Sequence, residues 1–61
     1  MSNSPDSRYS ARVQQAAGVV SLQADCELAM AYVLMQHQAD HAHVLIDDIA
    51  DSVLDGSIRF A

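Results

Sequence analysis

The longest apolar run in the chain covers residues 28–35 and reads Leu-Ala-Met-Ala-Tyr-Val-Leu-Met. Tyr32 and Val33 favour strands, whereas the Ala, Leu and Met residues that make up the rest of the run favour helices. The pattern therefore predicts a helix from about residue 25 to about residue 40. The positions that share its apolar face at helical spacing are Leu28, Ala31, Tyr32, Met35 and Ala39. Apolar side chains also lie at its sides, so one neighbouring element cannot cover it.

A first helix is predicted before this run, from about Arg8 to about Gln23. Its apolar positions, which recur at helical spacing, are Tyr9, Val13, Ala16, Ala17 and Val20. Gly18 lies inside this helix, where glycine costs ~1 kcal/mol relative to alanine. We expect the missing side chain to let another backbone approach this patch of small residues closely.

A third helix is predicted after a short junction at residues 42–44. Its apolar stripe consists of Ile46, Ile49, Ala50 and Val53, and its solvated side carries Asp47, Asp48 and Asp51. Gly56 is typical of a residue that ends a helix in the left-handed conformation. We expect Ile58 to fold back over the last turn and Phe60 to dock on the same surface.

The three stripes together predict an all-α fold, a small three-helix bundle. Met30 and Met35 of the central helix are both interpreted as core residues. Residues 1–7 have no apolar periodicity and are predicted to form a flexible N-terminal tail. The folded domain should therefore cover residues 8–61.

The small size of the chain favours self-association. A domain of 61 residues buries only about 60% of the surface that its unfolded chain exposes, so it tends to be marginally stable on its own. The single cysteine, Cys26, cannot form an internal disulfide. Oligomerisation is another way to stabilise a small domain, and we predict a homodimer through the first helix. The predicted interface consists of Tyr9, Val13, Ala16 and Val20.

The chain is acidic, with three Lys and Arg residues against eight Asp and Glu residues and a formal net charge of −5. This charge argues against strong nonspecific attraction to nucleic acids or to anionic membranes. The sequence has no basic start followed by an apolar segment, and no apolar run close to the ~20 residues that a membrane span needs. We expect a cytoplasmic protein without membrane contact.

Few residues suggest chemistry. His37, His41 and His43 are spaced His-x-x-x-His-x-His, and two histidines at positions i and i+4 of a helix can share a metal ion. The favoured interpretation is a solvated surface cluster, so no metal site is predicted. Cys26 is interpreted as a small core residue rather than a reactive thiol. Because no nucleophile with a positioned acid–base pair is visible, we expect neither an enzyme nor a cofactor.

The order of residues along the three predicted helices suggests a family. Residues 15–20 read Gln-Ala-Ala-Gly-Val-Val, and residues 46–50 read Ile-Asp-Asp-Ile-Ala. Between them the central helix contributes Ala31, Tyr32, Leu34, Met35 and Ala39. In this spacing, over about residues 12–53, the chain resembles the ANTAR domain, a three-helix module of bacterial transcription antitermination regulators. That family has an Ala-Lys-Gly-aliphatic-aliphatic opening and a Leu-x-Asp-aliphatic-Ala third helix.

The resemblance implies an RNA-binding function. It implies a dimer that brings two surfaces to paired hairpin loops of a nascent transcript and so prevents a terminator from forming. Unpaired loop bases offer such a protein both stacking faces and hydrogen-bonding edges. The residues that we expect to contact RNA are Arg8, Arg12, Gln15, Gln36, His37 and His41. The expected partners are a second copy of the chain, RNA hairpins, or a related full-length regulator.

Several positions at which the family carries basic residues are uncharged or only weakly basic here. Ala17 replaces the Lys of the opening, Gln36 and His37 replace an Arg-rich helix end, and Leu45 replaces the basic residue before the third helix. A second interpretation is therefore an interaction module that kept the dimer fold and lost its RNA contacts, for example by pairing with a full-length relative. The net charge favours this second interpretation, and the resemblance favours the first.

Overall fold

Three α-helices form a bundle in the computed structural model, which describes residues 9–60 of the chain. They are α1 (Ala11–Ala24), α2 (Leu28–Ala42) and α3 (Ile46–Leu54). The predicted all-α three-helix bundle is confirmed. The predicted tail at residues 1–7 lies outside the described residues.

The helices α1 and α2 begin later than the apolar pattern predicts. Ser10 is the N-cap of α1, because its Oγ accepts a hydrogen bond from the backbone N–H of Val13 at 3.2 Å. A serine in this position satisfies one of the N–H groups that the first turn leaves unpaired. Glu27, in an extended conformation, precedes the first residue of α2. The predicted starts, at about residues 8 and 25, are each about three residues too early.

Each helix ends in a tight turn closed by a backbone hydrogen bond that reaches five residues back. These bonds run from Cys26 N–H to Ser21 O at 3.0 Å, from Val44 N–H to Ala39 O at 3.0 Å and from Ser57 N–H to Ser52 O at 2.8 Å. Gly56, with φ of 88°, takes the predicted left-handed conformation after α3. Asp25 and His43 take this conformation after α1 and α2, and both residue types tolerate it better than most. After α3, hydrogen bonds from Ser57 lower the pKa of Asp55.

The core lies between the three helices, and every pair of helices is in contact. Its buried residues are Val13, Ala16, Ala17 and Val20 from α1, Ala31, Tyr32, Met35 and Ala39 from α2, and Ile49, Ala50 and Val53 from α3. Alanine supplies five of these positions, which allows close packing between helices. After α3, Ile58 and Phe60 pack against this core as predicted. The backbone N–H of Phe60 also donates a hydrogen bond to Gln23 Oε1 at 3.0 Å.

Two residues of α2 that were predicted to lie in the core are at the surface instead. Leu28 is 46% exposed because it is the first residue of the helix. Met30 is 49% exposed because it lies on the side of α2 that faces away from α1 and α3. Met35, by contrast, is fully buried as expected.

The surface predicted for dimerisation is already used within one chain. Val13, Ala16 and Val20 are completely buried against α2 and α3 of their own chain. The ring of Tyr9 stacks on the ring of Tyr32, with centroids 4.5 Å apart and an angle of 13° between the ring planes. A second copy cannot reach the three buried side chains unless the bundle opens, so their assignment to the interface is corrected, whereas Tyr9 is only half-buried. Dimerisation itself stays a prediction.

The reason proposed for Gly18 is also corrected. A Cβ atom at this position would meet nothing within 4 Å, so no backbone of the described chain approaches it closely. Gly18 lies on the side of α1 that points away from the core, one residue after the buried Ala17. No close backbone contact within residues 9–60 therefore offsets the free-energy cost of a glycine inside this helix.

The chain bends by 102° between α1 and α2. No single helix within residues 9–60 is long and apolar enough to cross a membrane. The pair of α1 and α2 taken together would meet that criterion by length and composition only, across this bend.

Candidate nucleic-acid interface

The residues predicted to contact RNA are divided between two helices. Arg12 and Gln15 lie on α1, whereas Gln36, His37 and His41 lie on α2. All five side chains belong to exposed residues. The sixth predicted residue, Arg8, lies outside the described part of the chain.

Arg12 is bound to an acidic residue of its own chain. Its Nη1 donates a hydrogen bond to Asp51 Oδ1 of α3 at 2.6 Å, with both side chains more than half exposed. The hydrogen bond and the charge of Asp51, with a smaller contribution from Asp47, raise the pKa of the Arg12 guanidinium. An RNA phosphate would therefore have to compete with Asp51 for this cation.

The surface around Arg12 is acidic because α3 runs beside α1. Ser10, which caps α1, donates a hydrogen bond from Oγ to Asp47 Oδ1 at 3.4 Å. Asp47 and Asp48 also stand in the first turn of α3, where the helix dipole favours negative charge, and the Asp48 carboxylate accepts a hydrogen bond from the backbone N–H of Leu45. The solvated acidic side predicted for this helix is confirmed, because these aspartates are exposed.

His37 and His41 lie next to each other on the exposed side of α2. His37 is two residues from both Met35 and Ala39, which are fully buried. At ~100° per residue this places its side chain on the opposite side of the helix. His41 follows one turn later on the same side. Both imidazoles therefore point away from α1 and α3.

These positions do not form one continuous surface. Arg12 faces α3 from α1, whereas the two histidines face outward from α2. Gln36 is also engaged within α2, since its Nε2 donates a hydrogen bond to Asp40 Oδ1 at 2.9 Å. The structure thus separates the predicted RNA contacts into a cation held at the boundary between α1 and α3 and a pair of histidines on α2.

The exposed side of α2 also carries apolar side chains. We define the α2 outer face by Met30, Val33, His37 and His41. Val33, on this face, is 59% exposed. Leu45, the extended residue that precedes α3 and lies outside α2, is 72% exposed. Because Met30 was interpreted as a core residue, this face was not identified from the sequence, although positions 30, 33, 37 and 41 recur at helical spacing.

The structure also describes the residues considered as metal ligands and the single cysteine, Cys26. Among residues 9–60 no group of three or more His, Cys, Asp or Glu side chains is arranged to hold a metal ion. Cys26 has a free thiol, is partly buried and packs against the core. This environment agrees with its interpretation as a small packing residue.

Comparison with known proteins does not assign a family. No family model, no curated protein and no solved structure matches this chain. The likeness to the ANTAR domain therefore rests on the residues quoted above, and the family stays a prediction.

Proposed function

We propose that this chain is an ANTAR-like RNA-binding module that acts as a dimer on paired RNA hairpins in bacterial transcription antitermination. One observation carries the proposal, namely that most of the small and apolar positions that give the resemblance also form the core of a three-helix bundle. These positions are Ala16, Val20, Ala31, Tyr32, Met35, Ala39, Ile49 and Ala50. The proposal places the protein in the bacterial cytoplasm, where transcripts are made.

The α2 outer face is the better RNA surface of the two that the structure separates. Its histidines are exposed and point away from the bundle, so RNA can reach them without rearrangement of the helices. Protonated imidazoles bind phosphate oxygens by charge-assisted hydrogen bonds. Gln15 and Arg12 on α1 would contribute secondary contacts, and Arg12 would do so after it leaves Asp51.

Electrostatics predict that RNA binding is weak at neutral pH. The net charge of −5 per chain opposes the approach of a polyanion. Histidine side chains take up protons as the pH falls toward about 6, so binding should strengthen over that range. The double variant Arg12→Ala, His37→Ala should lose binding, because it removes one cation from each of the two surfaces.

A titration of the 61-residue chain against a paired-hairpin RNA at low salt, at neutral pH and at pH ~6, tests this proposal. His43→Asn is the matched control for His37, because it removes an exposed histidine from the turn after α2 and keeps a residue type that tolerates the left-handed conformation there. Absence of binding at both pH values would contradict the RNA function. Tight binding at neutral pH that the double variant retains would contradict the proposed surface.

A second candidate function is an interaction module that pairs with a related full-length regulator and binds no RNA. Two observations favour it: Asp51 holds Arg12, and the apolar side chains of Val33 and Leu45 are largely exposed. This candidate predicts no RNA binding in any variant. It also predicts that Val33→Glu weakens association between protein chains, which sedimentation equilibrium measures.

A further inference from the structure

His37 and His41 have the geometry of a two-ligand metal site. They stand one turn apart on α2, where Cβ atoms at this spacing are ~5–6 Å apart. Helical side chains lean toward the N-terminus, so His41 leans toward His37. Both lie inside the regular helix, which continues to Ala42, rather than in the junction before α3. A metal ion between two imidazoles on one helix needs Zn–N distances of about 2.0–2.1 Å.

The two imidazoles are also uncommitted within the described chain. Neither makes a hydrogen bond or an ion pair with any of residues 9–60. The nearest acidic residue along the helix, Asp40, accepts a hydrogen bond from Gln36. Neutral imidazole is the commonest protein ligand of transition metals. The pair can therefore bind a divalent ion without giving up an interaction seen in the structure.

One copy of the chain supplies too few ligands to complete such a site. No third His, Cys, Asp or Glu side chain within residues 9–60 joins this pair in an arrangement that could hold a metal ion. Zn²⁺ in structural sites has four ligands in a tetrahedral arrangement. Two coordination positions are thus left for groups from outside the chain, and a second copy of the same pair would fill both.

We propose that one Zn²⁺-type divalent ion binds His37 and His41 from each of two copies of this chain and joins their α2 helices across a two-fold axis. Such an axis passes midway between the two histidines, close to position 39. Val33 lies on the same α2 outer face, six positions before that point, and so stands beside the contact between the two antiparallel helices. The dimer therefore covers Val33, which is 59% exposed.

The negative net charge of the chain also favours a divalent cation between two copies. Two copies that each carry a net charge of −5 repel one another, and a divalent cation at their contact offsets part of that repulsion. The site uses two of the side chains proposed for RNA, so zinc and RNA exclude each other at the α2 outer face.

Sedimentation velocity of the untagged 61-residue chain without RNA, with ZnCl₂ or with EDTA, tests the site. We expect the chain to double in mass with zinc, to retain one zinc per two chains after dialysis, and to dissociate with EDTA. His41→Ala should raise the zinc concentration for half-maximal dimerisation by at least the roughly 10–100-fold that changes beside a metal site cost. His43→Asn, the control, keeps a residue type that tolerates the left-handed conformation at this position and should behave as the original chain, and circular dichroism checks that both variants are folded.

Three results would overturn this inference. A monomer that binds one zinc per chain would rule out the bridge. A chain that retains no zinc, or that dimerises equally with EDTA, would rule out a metal-dependent dimer. Equal losses in His41→Ala and His43→Asn would rule out the assigned pair. Because the experiment contains no RNA, each of these results leaves the RNA proposal to its own test.

Discussion

Gly18 is the residue at which a single methyl group should stabilise the protein. It lies within α1, where glycine costs about 0.5–1 kcal/mol relative to alanine, and a Cβ atom there would meet nothing within 4 Å. We therefore expect Gly18→Ala to raise the free energy of unfolding by about this amount. Urea denaturation followed by circular dichroism measures the change.

Gly56→Ala is the matched control for this substitution. It has the same chemistry at a position whose φ of 88° disfavours a side chain, so it should lower the free energy of unfolding by roughly 1–2 kcal/mol. If Gly18→Ala also lowered it, the outward side of α1 would have to be covered by something outside residues 9–60, such as a second copy.

Side-chain partners were the least predictable features at the residue scale. The first helix was expected to begin about three residues earlier than it does, because the apolar stripe begins at Tyr9 and suggests a longer helix. The pair of Arg12 and Asp51 joins residues 39 positions apart, and no local pattern in the sequence indicates which of several aspartates would meet this arginine. The glycine stop after α3 was predictable because its conformation depends on local backbone geometry.

At the scale of the helices, the assigned buried and exposed faces of α2 can be tested by substitution. Ala31 is completely buried, so Ala31→Glu places a charge in the core without a partner. We expect this variant to be unfolded or strongly destabilised, because a small domain has little stability to lose. Ala29→Glu makes the same change two residues earlier on the exposed side, and should shift stability by less than about 0.5 kcal/mol.

Thermal melts of these two variants, followed by circular dichroism, check the faces of α2. Similar melting temperatures would show that the assigned faces are wrong. Most of the buried face was predictable, because Ala31, Tyr32, Met35 and Ala39 recur at helical spacing. Its outer face was not recognised, because an apolar run with few polar residues does not indicate which side remains uncovered.

At the scale of the whole molecule, the three-helix architecture was predictable and the use of its surfaces was not. A narrow apolar stripe on α1 suits either a dimer seam or an intrachain core, and the spacing of Val13, Ala16 and Val20 is the same in both cases. The bundle buries that stripe itself. The same ambiguity affected the RNA contacts, which were chosen by residue type and by resemblance and which the fold divides between two surfaces.

The central claim is that this acidic bundle binds RNA, and Asp51→Asn tests it most directly. The substitution releases Arg12 from its ion pair and adds one unit of positive charge. Asp25→Asn adds the same charge at the left-handed end of α1, a conformation that asparagine tolerates, and leaves Arg12 paired. We expect Asp51→Asn to bind a paired-hairpin RNA more tightly than Asp25→Asn does.

The measurement is the slope of the logarithm of the RNA-binding constant against the logarithm of salt concentration for these two variants. Each Arg12 that engages a phosphate should steepen the slope by about 0.7–0.9 in Asp51→Asn, and Asp25→Asn should keep the slope of the original chain. Equal slopes in the two variants would contradict a phosphate contact by Arg12, and no binding in either variant would contradict the RNA-binding account.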